Sequence, residues 1–147
     1  MRYEDWPKRL AEYLEEHNST PFEWGRFDCC LFVCGAILAM TGVDPAKNLH
    51  GRYVNETGAS DVLLEEYGED SLEEIVAAIC EREGFPEITP SFAQRGDVVV
   101  VNAPLSGDSM FHVCLGIIAP GGRAAVASPR GFILFPINRV IRAWRVG

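Results

Sequence analysis

"TPFEWGRFDCCLFVCGAIL", residues 20–38, decides how the rest of the chain is read, because three of the five cysteines fall inside it. Asp28 stands immediately before an apolar run. Aspartate is a favoured N-cap, since its carboxylate accepts the orphan amides of a first helical turn. The run "CCLFVCGAILAMTG" that follows is apolar all round, which predicts a helix over about 28–41 buried on most sides and stopped by Gly42. Cys29 then falls in the first turn, where the partial positive charge of a helix N-terminus favours a thiolate. A thiolate is the reactive form, so Cys29 is a candidate nucleophile. Cys30 and Cys34 lie four apart on one face, at positions typical of core residues. From these residues alone, a nucleophile, a metal site and a packed core all stand open.

Working towards the N-terminus, Trp6, Leu10, Tyr13 and Leu14 recur at helical spacing and predict a first helix from about Glu4 to Glu16, with Pro7 in its first turn. "NSTPFEWGR" breaks that helix. Working towards the C-terminus, residues 43–57 read as a long polar loop. "ASDVLLEEYG" reads as a short third helix. "SLEEIVAAICEREG" reads as a fourth, with Ser71 and Glu74 spaced as a capping box and Gly84 as the stop. "FPEITPSFAQRG" reads as a proline-punctuated connector. Beyond it the character changes to short β-type segments, "DVVVVNA", "HVCLGIIA", "RAAVAS", "FILFPI" and "RAWRV", with "APGGR" as a tight hairpin. "RGD" at 95–97 reads as a turn feeding a buried strand, with Asp97 bonding local backbone. Helices first and strands second predict an α+β fold, its N-terminal helices packed on one side of a C-terminal antiparallel sheet of about five strands.

The 147 residues suit one domain, 1–147, and no apolar run reaches the roughly 18 residues of a membrane span. The N-terminus is charged and amphipathic, unlike a secretory signal. The expectation is therefore a chain folded in a reducing cytoplasm with its thiols unpaired. Residues 1–87 hold 7 basic and 19 acidic residues, whereas residues 88–147 hold 6 arginines against Asp97 and Asp108. The overall charge of −8 argues against nucleic acid, which needs cations along its phosphates. The basic half suits an acidic partner.

A cysteine nucleophile needs a base. His17 ends an exposed helix and His50 lies in a polar loop, so both are placed on the surface. His112 opens the apolar strand "HVCLGII", on which His112, Cys114 and Gly116 face one way and Val113, Leu115 and Ile117 the other. Zinc ranks last. Structural zinc wants four ligands in closed pairs, and "CCxxxC" has no second pair. Neither a metal nor a cofactor is expected.

Taken together, these residues resemble a family. "TPFEWG…FDCCLFV" resembles the "PYxWGG…FDCSGLV" signature of NlpC-type cysteine peptidases. "RGDVVVV" resembles their "PGDLVFF" strand, and "HVCLGII" is similar to their "HVGIYI" strand. The resemblance runs from about Thr20 to Ser128, in the same order along the chain. It implies a papain-like fold with Cys29 as nucleophile, His112 as general base, and Phe22, Trp24 and Cys30 beside the substrate groove. It also has departures. Phe22 replaces a tyrosine whose hydroxyl helps organise the site. Cys30 and Leu31 replace the Ser-Gly after the nucleophile. Val126 falls near the third polar position, where a valine cannot orient an imidazole. Asn102, Asp108 and Ser128 are the candidates to stand in for it.

With "GFILFPI" followed by "AWRV", the chain is similar to a branch found among phage and prophage tail proteins. That resemblance implies a tail-tip or tail-assembly protein of the virion, made in the host cytoplasm. Its partners would be other tail-tip or hub proteins, and its site a reduced one. The alternative it implies is an active thiol peptidase cutting peptidoglycan peptide stems through Cys29 and His112. A cysteine-ligated zinc protein is the third reading.

Overall fold

The computed structural model describes residues 1–69, 71–102 and 113–147. Four helices come first: α1 (Trp6–Glu16), α2 (Cys29–Thr41), α3 (Glu56–Tyr67) and α4 (Leu72–Glu83). Six strands follow: β1 (Glu87–Ile88), β2 (Val98–Asn102), β3 (Val113–Ile118), β4 (Ala124–Ala127), β5 (Phe132–Phe135) and β6 (Val140–Trp144). They form one antiparallel sheet in the order β1-β6-β2-β3-β4-β5. The class is α+β, with six strands rather than about five. The added strand is β1, two residues of the proline-rich connector that pair with Trp144 and Ala143.

Local signals set most boundaries. The Asp28 carboxylate accepts from Leu31 N at the start of α2, and Gly42 closes that helix at φ +80°. Ser71 Oγ accepts from Glu74 N at 3.3 Å and Gly84 closes α4. α1 begins at Trp6 instead of Glu4, with no side-chain cap at Asp5. α3 begins three residues earlier than the sequence pattern predicts. There Asn55 turns its side chain onto Gly58 N at 2.7 Å and caps a turn that Gly58 had disguised as loop.

α2 is the central helix. α1 lies close against it because Gly35 carries no side chain: a Cβ there would run into the Tyr13 hydroxyl, which donates to Phe32 O at 2.7 Å. The helix-facing core joins Leu10, Phe32, Ile37 and Met40 to Val98, Val100, Leu115, Ile117 and Trp144. Val99, Val101, Ile118, Val126 and Ala143 form a second cluster on the opposite face of the sheet. The central strands are therefore buried on both faces, which explains why "VVVV" shows no polar alternation. On β3, Val113, Leu115 and Ile117 face the helices, and Cys114 and Ile118 the other side. The β3–β4 turn is "APGGR", closed by Ala119 N to Arg123 O at 2.8 Å, with Gly121 and Gly122 both at positive φ.

The entry to β2 is fixed by Asp97, which is fully buried. Its carboxylate accepts from Gln94 N at 2.9 Å and from Arg2 Nη2 at 3.0 Å, and Arg145 Nη2 lies 3.5 Å away. Asp97 thus bonds local backbone and also ties the first and last segments of the chain to the sheet. Removing one partner of a buried pair leaves the other desolvated. Asp97→Ala is expected to cost about 3 kcal/mol in urea unfolding, whereas Asp5→Ala, at the exposed Arg9 pair, should leave the midpoint nearly unchanged.

Candidate functional site

The site is built on the junction between the "TPFEWGRF" loop and α2. Glu23 and Phe27 pair across a tight turn, with Phe27 N to Glu23 O at 2.8 Å and Glu23 N to Phe27 O at 2.9 Å. This brings Gly25 and Asp28 together. Asp28 is 1% exposed. Its carboxylate accepts three hydrogen bonds: from Leu31 N at 2.9 Å, Gly25 N at 3.1 Å and the Tyr53 hydroxyl at 2.7 Å. Gly25 sits at φ +84°, and a Cβ on it would collide with the Tyr53 carbonyl. Gly51 N donates to Gly25 O at 2.9 Å, so the 51–53 segment is laced to this loop on two sides.

Cys29 is the first residue of α2 and is half-buried. Burial pushes its thiol well above the ordinary range, and the Asp28 carboxylate, Cys30 and Cys114 push the same way. The helix N-terminus offers about half a positive charge, but the cap beside Cys29 carries a carboxylate. Position in the first turn is therefore not enough to make a thiolate here. Cys30 and Cys34 are both buried core residues of α2. Their mutual hydrogen bond, followed by burial, raises the Cys30 thiol. Cys80 is buried in α4 and is pushed up to about 12 by burial. Among the described residues, no group of three His, Cys, Asp or Glu is placed to hold a metal, and no helix is long and apolar enough to cross a membrane.

His112 and Asp108 lie outside the described residues. Ser128 is buried, and its hydroxyl donates to Arg130 O at 3.1 Å, inside the β4–β5 turn. Asn102 ends β2, exposed and opposite Val113, and its carbonyl accepts from Arg139. Val126 faces the outer cluster, paired with Gly116 and Ile133, on the side of the sheet away from α2. Phe22 and Trp24 are half-buried and meet edge to face at 5.0 Å. Their loop is held to the β4–β5 turn by Phe22 N to Pro129 O at 3.0 Å. His17 is half-buried, not a surface residue: it stacks on Phe27 at 5.1 Å and meets Thr20 Oγ1 at 3.0 Å. His50 is exposed, 2.8 Å from Asp44. A cavity of about 150 Å³ is lined by Asp44, Lys47, Tyr67, Ile79, Arg82 and Glu83.

Tyr53 is the residue that sequence reasoning missed. It is 5% exposed, and its hydroxyl is pushed up by burial and by Asp28. Within "VDPAKNLHGRYVNET" nothing marks it. Its partner Gly25 does carry a signal, since a glycine after Trp24 supplies positive φ and room for the Tyr53 backbone. With Phe22 lacking a hydroxyl, Tyr53 brings a phenol to the cap of α2 from another direction.

Two outcomes follow for stability. Tyr53→Phe leaves Asp28 one donor short and is expected to cost about 1–3 kcal/mol in urea unfolding, with Asp28→Ala costing more because it strands two amides and a phenol. The buried thiols also set a pH dependence. Unfolded cysteine titrates near about 8.5, while Cys29, Cys30 and Cys80 keep their protons to higher pH in the native state. The native state then binds more protons above that point, so stability is full below pH ~8.5 and falls as pH rises towards the native values, by up to about 1.4 kcal/mol per pH unit per thiol. Unfolding midpoints at pH 7 and pH 10 should differ accordingly, with a smaller difference in Cys80→Ala.

A family model described as a domain of unknown function, DUF6950, matches residues 1–146. No curated protein matches the chain.

Proposed function

The chain belongs to the DUF6950 family, and we propose that it is a papain-like, NlpC-type domain with a reduced thiol site, acting as a structural part of a phage tail tip or of its assembly. The observation that carries the reduced site is the setting of Cys29. Burial and a neighbouring carboxylate already engaged by Gly25, Leu31 and Tyr53 push its thiol above the ordinary cysteine range. Val126, on the far face of the sheet, offers no polar group to orient a base. The NlpC-type reading rests on the sequence resemblance at residues 20–38, on "RGDVVVV" and on "HVCLGII". The order of a cysteine-bearing helix before an antiparallel sheet supports it. The tail setting rests on the resemblance of the C-terminal segments.

One observation favours a second reading, a thiol peptidase acting on cell-wall peptide stems. Cys29 stands at the first position of a helix and is half-buried rather than sealed. In that reading Cys29 sulfur attacks the peptide carbonyl and forms a thioester. His112 takes the thiol proton and returns it to the leaving amine, and the Cys29 amide helps hold the oxyanion.

Alkylation by iodoacetamide, read residue by residue in mass spectra, separates the two. The reduced site predicts that Cys29 reacts at pH 7 no faster than Cys114, which is half-buried like it, with its rate climbing about tenfold per pH unit through pH 9 as thiolate appears. A Cys29 that alkylates about a hundredfold faster than Cys114 at pH 7, with a flat profile above it, sinks the proposal and favours the peptidase. Particles assembled with Cys29→Ala give the second check. Normal, infectious tails are expected, whereas normal tails that fail to infect would point to catalysis.

A further inference from the structure

We infer that the open edge of β5 is a docking strand for an extended apolar segment of another protein, flanked by acidic residues. Among the described residues β5 is the last strand on its side of the sheet, paired with β4. Ser128 N donates to Gly131 O, and the register continues Val126 to Ile133 and Ala124 to Phe135. Antiparallel alternation then turns the backbone amides and carbonyls of Phe132 and Leu134 away from β4. The loop at Asn18–Phe22 lines the start of this edge, where Pro21 bridges Arg130 and Gly131 N donates to Thr20 O at 2.6 Å. Beyond that point Ile133 and Leu134 are 39% and 37% exposed, and Ile137 is 38% exposed.

The charges around this edge choose the occupant. Arg130 stands at one end of β5 and Arg123, beside Ala124, at the other, both exposed. Among the described residues neither has a carboxylate partner, whereas Arg2, Arg9, Arg26, Arg52, Arg142 and Arg145 all do. The sequence holds no Asp or Glu after Asp108 to neutralise them. A short edge ended by Pro136 and bracketed by arginines resists a second copy of itself, because the copy would bring like charge to like charge. The same arginines attract acidic flanks and steer them in. Phe132 belongs with the helix-side core and Phe135 with the outer cluster. An incoming strand therefore meets apolar neighbours on both faces and pairs by backbone addition. This inference rests on the edge and not on the thiol chemistry, so its failure leaves the alkylation result untouched.

The probe is a synthetic peptide, acetyl-Asp-Glu-Val-Thr-Val-Asp-Glu-amide labelled with a fluorophore, with a lysine-flanked version as control. Anisotropy should show binding of the acidic peptide that weakens with salt, and hydrogen exchange of the full chain should slow at residues 132–135. Arg123→Glu and Arg130→Glu together should lower affinity at least about tenfold with unchanged circular dichroism, and should let the lysine-flanked peptide bind instead. The inference is overturned by no binding, by binding that survives the double reversal, by protection mapping elsewhere, or by sedimentation showing that the edge is already covered by a second copy.

Discussion

A carboxylate taken almost wholly out of water needs every lone pair it can engage to be met, and Asp28 organises the middle of this molecule through that need. Its three donors come from three places: the first turn of α2, the loop before it, and a segment beyond the end of the same helix. Satisfying one side chain therefore closes a circuit of chain from Gly25 through α2 to Tyr53. The main core then assembles around a helix whose N-terminal end is already fixed in position. The buried Asp97 does similar work at the mouth of β2, drawing Arg2 and Arg145 to the same oxygen atoms' neighbourhood. Each acid spends its hydrogen-bonding capacity on architecture, and that spending bears directly on chemistry. An aspartate tied to backbone and phenol raises the thiol next to it instead of assisting it.

What was legible in the sequence was local. A cap is a contact between residues three apart, so Asp28, Ser71, Gly42 and Gly84 mark helix ends without knowledge of the rest of the chain. Apolar runs marked β2, β3 and β4, and the Gly-Gly pair marked their hairpin. What escaped depended on distant partners. β1 is two residues long and exists because β6 lies beside it. The early start of α3 was hidden by Gly58, a poor helix former that serves here because Asn55 caps its amide. Tyr53 gave no sign of its role, since its loop is polar and its meaning comes from Gly25 and Asp28 arriving from elsewhere. The first-turn position of Cys29 was readable, but burial belongs to the fold and not to the spacing, and burial is the larger influence on its thiol.

The two faces of the sheet divide the protein's tasks. On the helix side, α1, α2 and α4 supply the bulk that buries Val98, Val100, Leu115 and Ile117. The far side carries a smaller cluster around Val99, Val101 and Val126. Position on one or other face decides what a strand residue can reach: Val126, two residues from a candidate in sequence, turns to the face away from α2. Ser128, at the end of the same strand, has its hydroxyl committed to the turn that holds the "TPFEWG" loop against the sheet.

β6 lies between β1 and β2, and Trp144 and Val146 are sunk in the helix-side core. The strand that comes last in the chain is thus an interior strand. During synthesis the helices can form early, but the sheet cannot close until residues 140–146 have emerged and slotted between partners already made. Until then β2 presents an uncovered apolar flank, exposed from its own emergence until that of β6 about forty residues later. Closure of the sheet around β2 therefore waits on its last-made strand, so a chain halted before β6 would keep that flank open to other chains.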